Sequence, residues 1–260
     1  MLISHEVPIC LLEESKRFND YDYCLLHLTY EYSEYKQFYL NSIEEGRKVL
    51  LDNSLFELGD ALTNNQLAQG VLDLNPTWYV IPDCLNNKDV TISRFESFIK
   101  EYPNLPGLKI GVVQGSTKKE LIECYKYMSE KADKIAIPFD SKGFDDFSNN
   151  DNVLERWCDG RRTFIQYLCN EGIISSKPHH LLGCSLAKEF NFPLYHKINI
   201  ETIDTSNPVV AGINRIEYGE NGLSQKPSIK LCDLIDCELS LNQRRCIDSN
   251  VEKFRELCHV

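Results

Sequence analysis

Apolar positions along this chain gather in short, nearly continuous runs, each followed by polar or turn-forming residues and then by a longer amphipathic segment. The runs are YCLLHL (23 to 28), KVLLDNS (48 to 54), WYVIPD (78 to 83), LKIGVVQG (108 to 115), KIAIPFD (134 to 140), HHLLGCS (179 to 185) and INIETIDTS (198 to 206), with VVAGINRIEY (209 to 218) as the candidate eighth. Continuous rather than alternating runs are the pattern of parallel strands buried on both faces. Between them the spacing predicts helices over 31 to 46, 91 to 102, 118 to 132 and 151 to 172. In the third of these, Leu121, Cys124, Tyr125 and Met128 recur at i, i+3, i+4 and i+7 and form one apolar face. Strands alternating with helices in this way predict an α/β fold, a (β/α)8 barrel. A doubly wound sheet is the alternative, but no G-x-G-x-x-G follows the first run. No internal repeat, low-complexity tract or Gly/Ser linker divides the chain, so residues 1 to 260 read as a single domain.

In such a barrel, chemistry collects where the strands end at the C-terminal face. The polar residues fall there: Asp52-Asn53-Ser54, Asp83, Gln114-Gly115, Pro138 with Asp140, Gly183 to Ser185, and Asp204-Thr205-Ser206. Any one of them alone reads as a helix cap or turn. Asp52, Asp83 and Asp204 end apolar runs, where a carboxylate costs free energy unless a partner or a task compensates. Carboxylates and the Gln114 amide facing one mouth form a donor and acceptor comb for the edge of a planar, purine-like heterocycle, and Phe56 is placed to stack on it. His179 and His180 sit at a strand start and are expected on the far face of the barrel, away from chemistry.

Charge and composition narrow the partners. Lys plus Arg number 28 against 39 Asp plus Glu, a net charge of −11, so a nucleic acid would have to be met by a local basic face. The candidates for that face are Arg161 and Arg162, Lys177 with His179 and His180, and Arg244 and Arg245, each of which also reads as a solvated surface. The N-terminus lacks a basic start followed by a long apolar core, and no run approaches a membrane span, so the expectation is a soluble cytoplasmic protein. The eleven cysteines lie mostly inside apolar runs and are expected to be reduced and buried. No cofactor is expected. A structural zinc held by Cys232, Cys237, Cys246, Cys258 or His259 is the alternative to ordinary packing, although these spacings form no tight two-residue knuckle. Oligomeric state is not legible.

Five segments, in order over about residues 25 to 215, resemble the tRNA-guanine transglycosylases, a TIM-barrel family that exchanges guanine for a 7-deazaguanine. LLDNSLFELG is similar to the family's Thr-Asp-Ser-Gly-Gly-Phe-Gln segment, VIPD to its base-reading aspartate strand, GVVQGS to Gly-Ile-Val-Gln-Gly and HLLGCS to Leu-Met-Gly-Val-Gly. ETIDTSNPVVAG falls where the family keeps its nucleophile. The resemblance implies Asp204 as nucleophile toward the sugar C1′ and Asp52 as general acid and base. It further implies that Asp83, Gln114 and Gly115 read the base, with Phe56 stacking and Asn53, Ser54 and Gly183 beside it. The chain departs from the family at Ser54-Leu55, where the glycine pair stands, at Glu57 in place of Gln, and in lacking the Cys-x-Cys-x-x-Cys zinc segment. It thereby resembles more closely the short phage and bacterial relatives that place 7-deazaguanines in DNA. DNA and a free 7-deazaguanine base are the implied partners. The alternatives are the same exchange on tRNA, a silent nucleic-acid-binding barrel subunit, and an N-glycosidase that uses water.

Overall fold

The computed structural model describes residues 1–184, 186–225, 227 and 229–258. Eight strands form one sheet: β1 (Leu2–Ser4), β2 (Asp22–Leu25), β3 (Val49–Asp52), β4 (Trp78–Val80), β5 (Leu108–Val112), β6 (Lys134–Pro138), β7 (His179–Leu182) and β8 (Ile200–Asp204). Every pairing is parallel, in the order β1-β8-β7-β6-β5-β4-β3-β2. The seam between the first and last strands of that order is bridged by the segment before β2. Asp20 N–H donates to Ile3 O at 2.9 Å, and the Asn19 amide accepts from His5 N–H at 2.7 Å and donates to His5 O at 2.9 Å. The result is a nearly closed (β/α)8 barrel in a single domain, with helices covering the outside. Residues of β3 and β6 are buried throughout, as strands covered on both faces must be.

The helices Ser33–Glu44, Lys88–Glu101, Lys118–Lys131 and Val153–Asn170 lie where the periodicity predicts them. Two longer helices were not legible from apolar spacing, Asn64–Leu74 and Leu241–Leu257. Each opens with a capping box, Thr63 with Gln66 and Ser240 with Gln243.

The eighth strand is not 209 to 218. Pro208, in the first turn, opens a helix, Asn207–Ile213, whose apolar residues pack inward against the helix Leu241–Leu257. Gly212 makes that contact close, since a Cβ there would stand 2.5 Å from Ile247 Cγ1. The missing strand is β1, whose three residues are too few to show a run. The run from 23 to 28 likewise divides: β2 stops at Leu25 and Leu26–Glu31 is helical. No helix among the described residues is long and apolar enough to cross a membrane.

At the barrel floor, Lys134 is fully buried, 2.7 Å from Glu201 Oε2 and 4.3 Å from the Trp78 ring centroid. Burial pulls its pKa down to about 8 despite the Glu201 carboxylate. The opposite end, where the strands point their C-termini, holds a cavity of about 190 Å³.

Candidate active site

Five of the anticipated residues line that cavity from the ends of five strands: Asp52 closes β3, Asp83 and Gln114 follow β4 and β5, Gly183 follows β7, and Asp204 closes β8. Asn53 and Phe56, from the turn after β3, line it too.

Asp52 is buried and held on both oxygens. Tyr23 Oη donates to Oδ2 at 2.9 Å, and Ser54 N–H donates to Oδ1 at 2.6 Å. That turn requires Ser54 in the left-handed region, φ 61°, where its hydroxyl accepts from His27 N–H at 3.2 Å. Burial raises the Asp52 pKa well above its ordinary value, and the nearby charges of Glu57 and Asp204 add to the rise while the two hydrogen bonds oppose it. Asp52 is therefore suited to carry and release a proton.

Asp83 accepts from Asn53 Nδ2 on Oδ1 and from Gln114 Nε2 on Oδ2, each at 2.8 Å. Burial raises its pKa while these bonds favour its charged form. Asn53 also donates to Ile81 O at 3.0 Å and accepts from Leu55 N–H at 3.0 Å, so it is a bracket for Asp83. Gln114 Oε1 accepts from Asn86 N–H at 3.0 Å, which leaves the amide one further N–H and one lone pair for a ligand.

Asp204 is 4% exposed. Gly183 N–H donates to its Oδ1 at 3.0 Å. His180 Nε2 stands 2.9 Å from the same oxygen, without the alignment of a proper hydrogen bond. His180 thus belongs to the site and not to the far face. Successive strand residues alternate in direction. His179 turns away to Tyr125 Oη at 2.9 Å, while His180 points into the barrel, and β7 is short enough for that position to reach the mouth. Its Nδ1 lies 2.9 Å from Thr202 Oγ1, its ring stacks on Tyr23, and burial keeps its pKa below the ordinary value although Asp204 acts the other way.

Phe56 is 40% exposed at the lip. It meets Phe139 edge-on at 5.9 Å, and Lys230 Nζ lies 4.9 Å from its ring centroid and donates to its carbonyl at 2.9 Å. Pro227, Ile229 and Leu231 extend the same wall. Glu6, Tyr23, His180 and Lys230 are site residues that the sequence reading missed. Tyr23 and His180 look like core residues of apolar runs, and the loop that carries Lys230 has no periodic signal.

Several expected residues lie elsewhere. Gly115 does not line the cavity: its carbonyl accepts from Ser141 Oγ at 3.0 Å, and a Cβ would stand 2.8 Å from Glu120 Cβ and Leu121 N. Ser54 is buried and shapes the turn without facing the cavity. Arg161 is fully buried and cannot grip a phosphate. Its Nε and Nη2 each lie 2.7 Å from a Glu189 carboxylate oxygen, and Nη2 also donates to Gly183 O at 3.0 Å. Arg162 donates to Glu189 O and Lys188 O, at 2.9 and 2.6 Å, and Arg244 is ion-paired with Glu14. Arg245 is exposed on the helix Leu241–Leu257, away from the cavity. Among the described residues no group of three His, Cys, Asp or Glu is placed to hold a metal ion; His259, like Ser185, lies outside the described residues.

Fold and mouth together define a (β/α)8 barrel with three buried aspartates converging on one small cavity. No protein-family model matches the chain, and no curated protein matches its sequence.

Proposed function

We propose that the protein is a glycosyltransferase that exchanges guanine for a 7-deazaguanine in DNA through a covalent glycosyl-aspartate. The observation that carries this reading is the contrast between two buried carboxyls in one cavity. Asp204 has one oxygen fixed by Gly183, and Asp52 has a pKa raised by burial and neighbouring charge. Two carboxyls with unlike roles are what a retaining exchange at an anomeric carbon needs.

Asp204 attacks C1′ as the C1′–N bond breaks, and Asp52 gives its proton to the leaving base. The incoming base nitrogen then bonds to C1′, its proton passes to Asp52, and Asp204 leaves as carboxylate. Asp83 and the remaining donor and acceptor of Gln114 read the base edge, and Phe56 covers its face. The cavity, about 190 Å³, is smaller than the ~300–1,000 Å³ of drug-sized pockets, which favours a single heterocycle. A duplex substrate must have its base flipped out.

A second reading, hydrolysis or exchange on a free nucleoside, is favoured by the charge of the site. Lys230 is the one lysine or arginine among the described cavity-lining residues, beside Glu6, Asp52, Glu57, Asp83, Asp140 and Asp204. Exchange on tRNA uses the same residues. Incubation with labelled 7-deazaguanine and, in parallel, duplex DNA, single-stranded DNA, tRNA or guanosine decides among these. Incorporation is expected in DNA; guanine released into water without incorporation would establish the hydrolytic reading.

A further inference from the structure

Asp204 presents its two oxygens to different surroundings. Oδ1 lies 3.0 Å from Gly183 N and 2.9 Å from His180 Nε2, whereas Oδ2 accepts no hydrogen bond among the described residues. Both groups that face Oδ1 are themselves fixed. His180 is fully buried, its Nδ1 is 2.9 Å from Thr202 Oγ1, and its ring stacks on Tyr23 at 6.3 Å with 20° between the planes. Gly183 is tied through its carbonyl to Arg161, and its φ of 70° keeps out a Cβ that would come 2.4 Å from Phe139 Cδ1. With the Thr202 hydroxyl donating to Nδ1, a neutral His180 carries its hydrogen on Nε2, the nitrogen 2.9 Å from Oδ1, off the line of a proper hydrogen bond in the free protein.

We infer, on the reading of Asp204 as nucleophile, that Oδ2 is the oxygen that bonds to the sugar and that His180 is a positioning residue acting through Oδ1. In the first half-reaction the Oδ2–C1′ bond forms, the C1′–N electron pair leaves with the base, and the Asp52 proton goes to that base. Oδ1 is then the carbonyl oxygen of the glycosyl ester. In the second half the incoming nitrogen bonds to C1′, its proton returns to Asp52, and the C1′–Oδ2 pair returns to the carboxylate. The hydrogen bond from Gly183 N–H and the electropositive Nε2–H edge of His180 2.9 Å from Oδ1 stabilise the carboxylate more than the ester, so they assist its departure. Loss of His180 should therefore fall hardest on the second half.

The test forms the adduct on guanine-containing duplex DNA, and in parallel on a tRNA transcript and on guanosine, then chases it with free guanine and times its decay. His180→Leu is expected to slow decay about tenfold or more, with guanine affinity changed by less than about threefold. His180→Gln retains an amide N–H at similar reach and should recover to within about threefold of wild type. Thr202→Val, which removes the partner of Nδ1, should also slow decay, and it decides the matter alone if His180→Leu fails to fold. Wild-type decay in these variants would overturn the inference while leaving the nucleophile in place. Absence of any adduct in the wild-type protein would instead overturn the nucleophile reading, and the inference with it.

Discussion

Asp52 and Asp83 are both buried and both acidic, yet their partners divide the work between them. Tyr23 donates to Asp52 and thereby favours its charged form, so removing that hydroxyl should raise an already raised pKa further. Where Asp52 must be protonated to release the leaving base, activity falls above its pKa. Tyr23→Phe is therefore expected to move the alkaline limb of the kcat/KM profile to higher pH; an unmoved limb would remove Asp52 from the acid role. At Asp83 the expectation concerns binding. Asp83→Ala leaves the Asn53 and Gln114 amides without their shared acceptor, at about 1–3 kcal/mol for each unpaired group. Titration should show weakened binding of free base with binding of nucleic acid little changed, and equal loss of both would make Asp83 structural.

Elements decide which of these residues the sequence could reveal. Asp52, Asp83, Gln114, Gly183 and Asp204 were legible because each stands where an apolar run stops, and a parallel strand's end is fixed by the end of its run. His180 and Tyr23 were not, because they lie inside runs and only strand register tells which face they take. Glu6 follows a strand of three residues that leaves no pattern, and Lys230 rides on a loop whose path over the mouth no periodicity encodes. Arg161 and Arg162 were misread as surface charge, since a basic pair in a helix looks solvated until its partner, Glu189, is placed beside it from a distant segment. Replacing Arg161 by Met would leave Glu189 buried without its ion pair and Gly183 O without that donor, so unfolding in urea is expected to show a loss of about 3–5 kcal/mol. Arg245→Ala, at an exposed position, should stay within about 0.5 kcal/mol of wild type. A small loss for Arg161→Met would mean that the pair is not holding the β7 end.

For the molecule as a whole, three of the four histidines buried among the described residues, His5, His179 and His180, set part of the acid response. Burial lowers the pKa of His5 to about 3 and of His179 to about 4, and lowers that of His180 as well. Each is neutral when folded and takes a proton more readily when unfolded. Their contribution is complete above the unfolded value near 6.5 and is lost as pH falls from there toward 4 and then 3. Asp52 and Asp83, with raised values, act in the opposite sense and gain as the pH falls. Removing one histidine isolates one slope. His5→Leu should lessen the rise of unfolding free energy with pH between about 4 and 6.5 by about 1.4 kcal/mol per pH unit, whatever it does to stability itself. An unchanged slope would mean that His5 titrates alike in both states.

In the proposed exchange all of this chemistry converges on one bond, between Asp204 and a sugar carbon. Mixing the wild-type protein with guanine-containing DNA in the absence of free base, denaturing, digesting and mapping the product by mass spectrometry tests that bond directly. A denaturation-resistant adduct is expected on the peptide that contains Asp204, with its loss on adding free 7-deazaguanine and no adduct or exchange in a folded Asp204→Asn. An adduct on another residue, or full exchange by Asp204→Asn, would contradict Asp204 as the nucleophile.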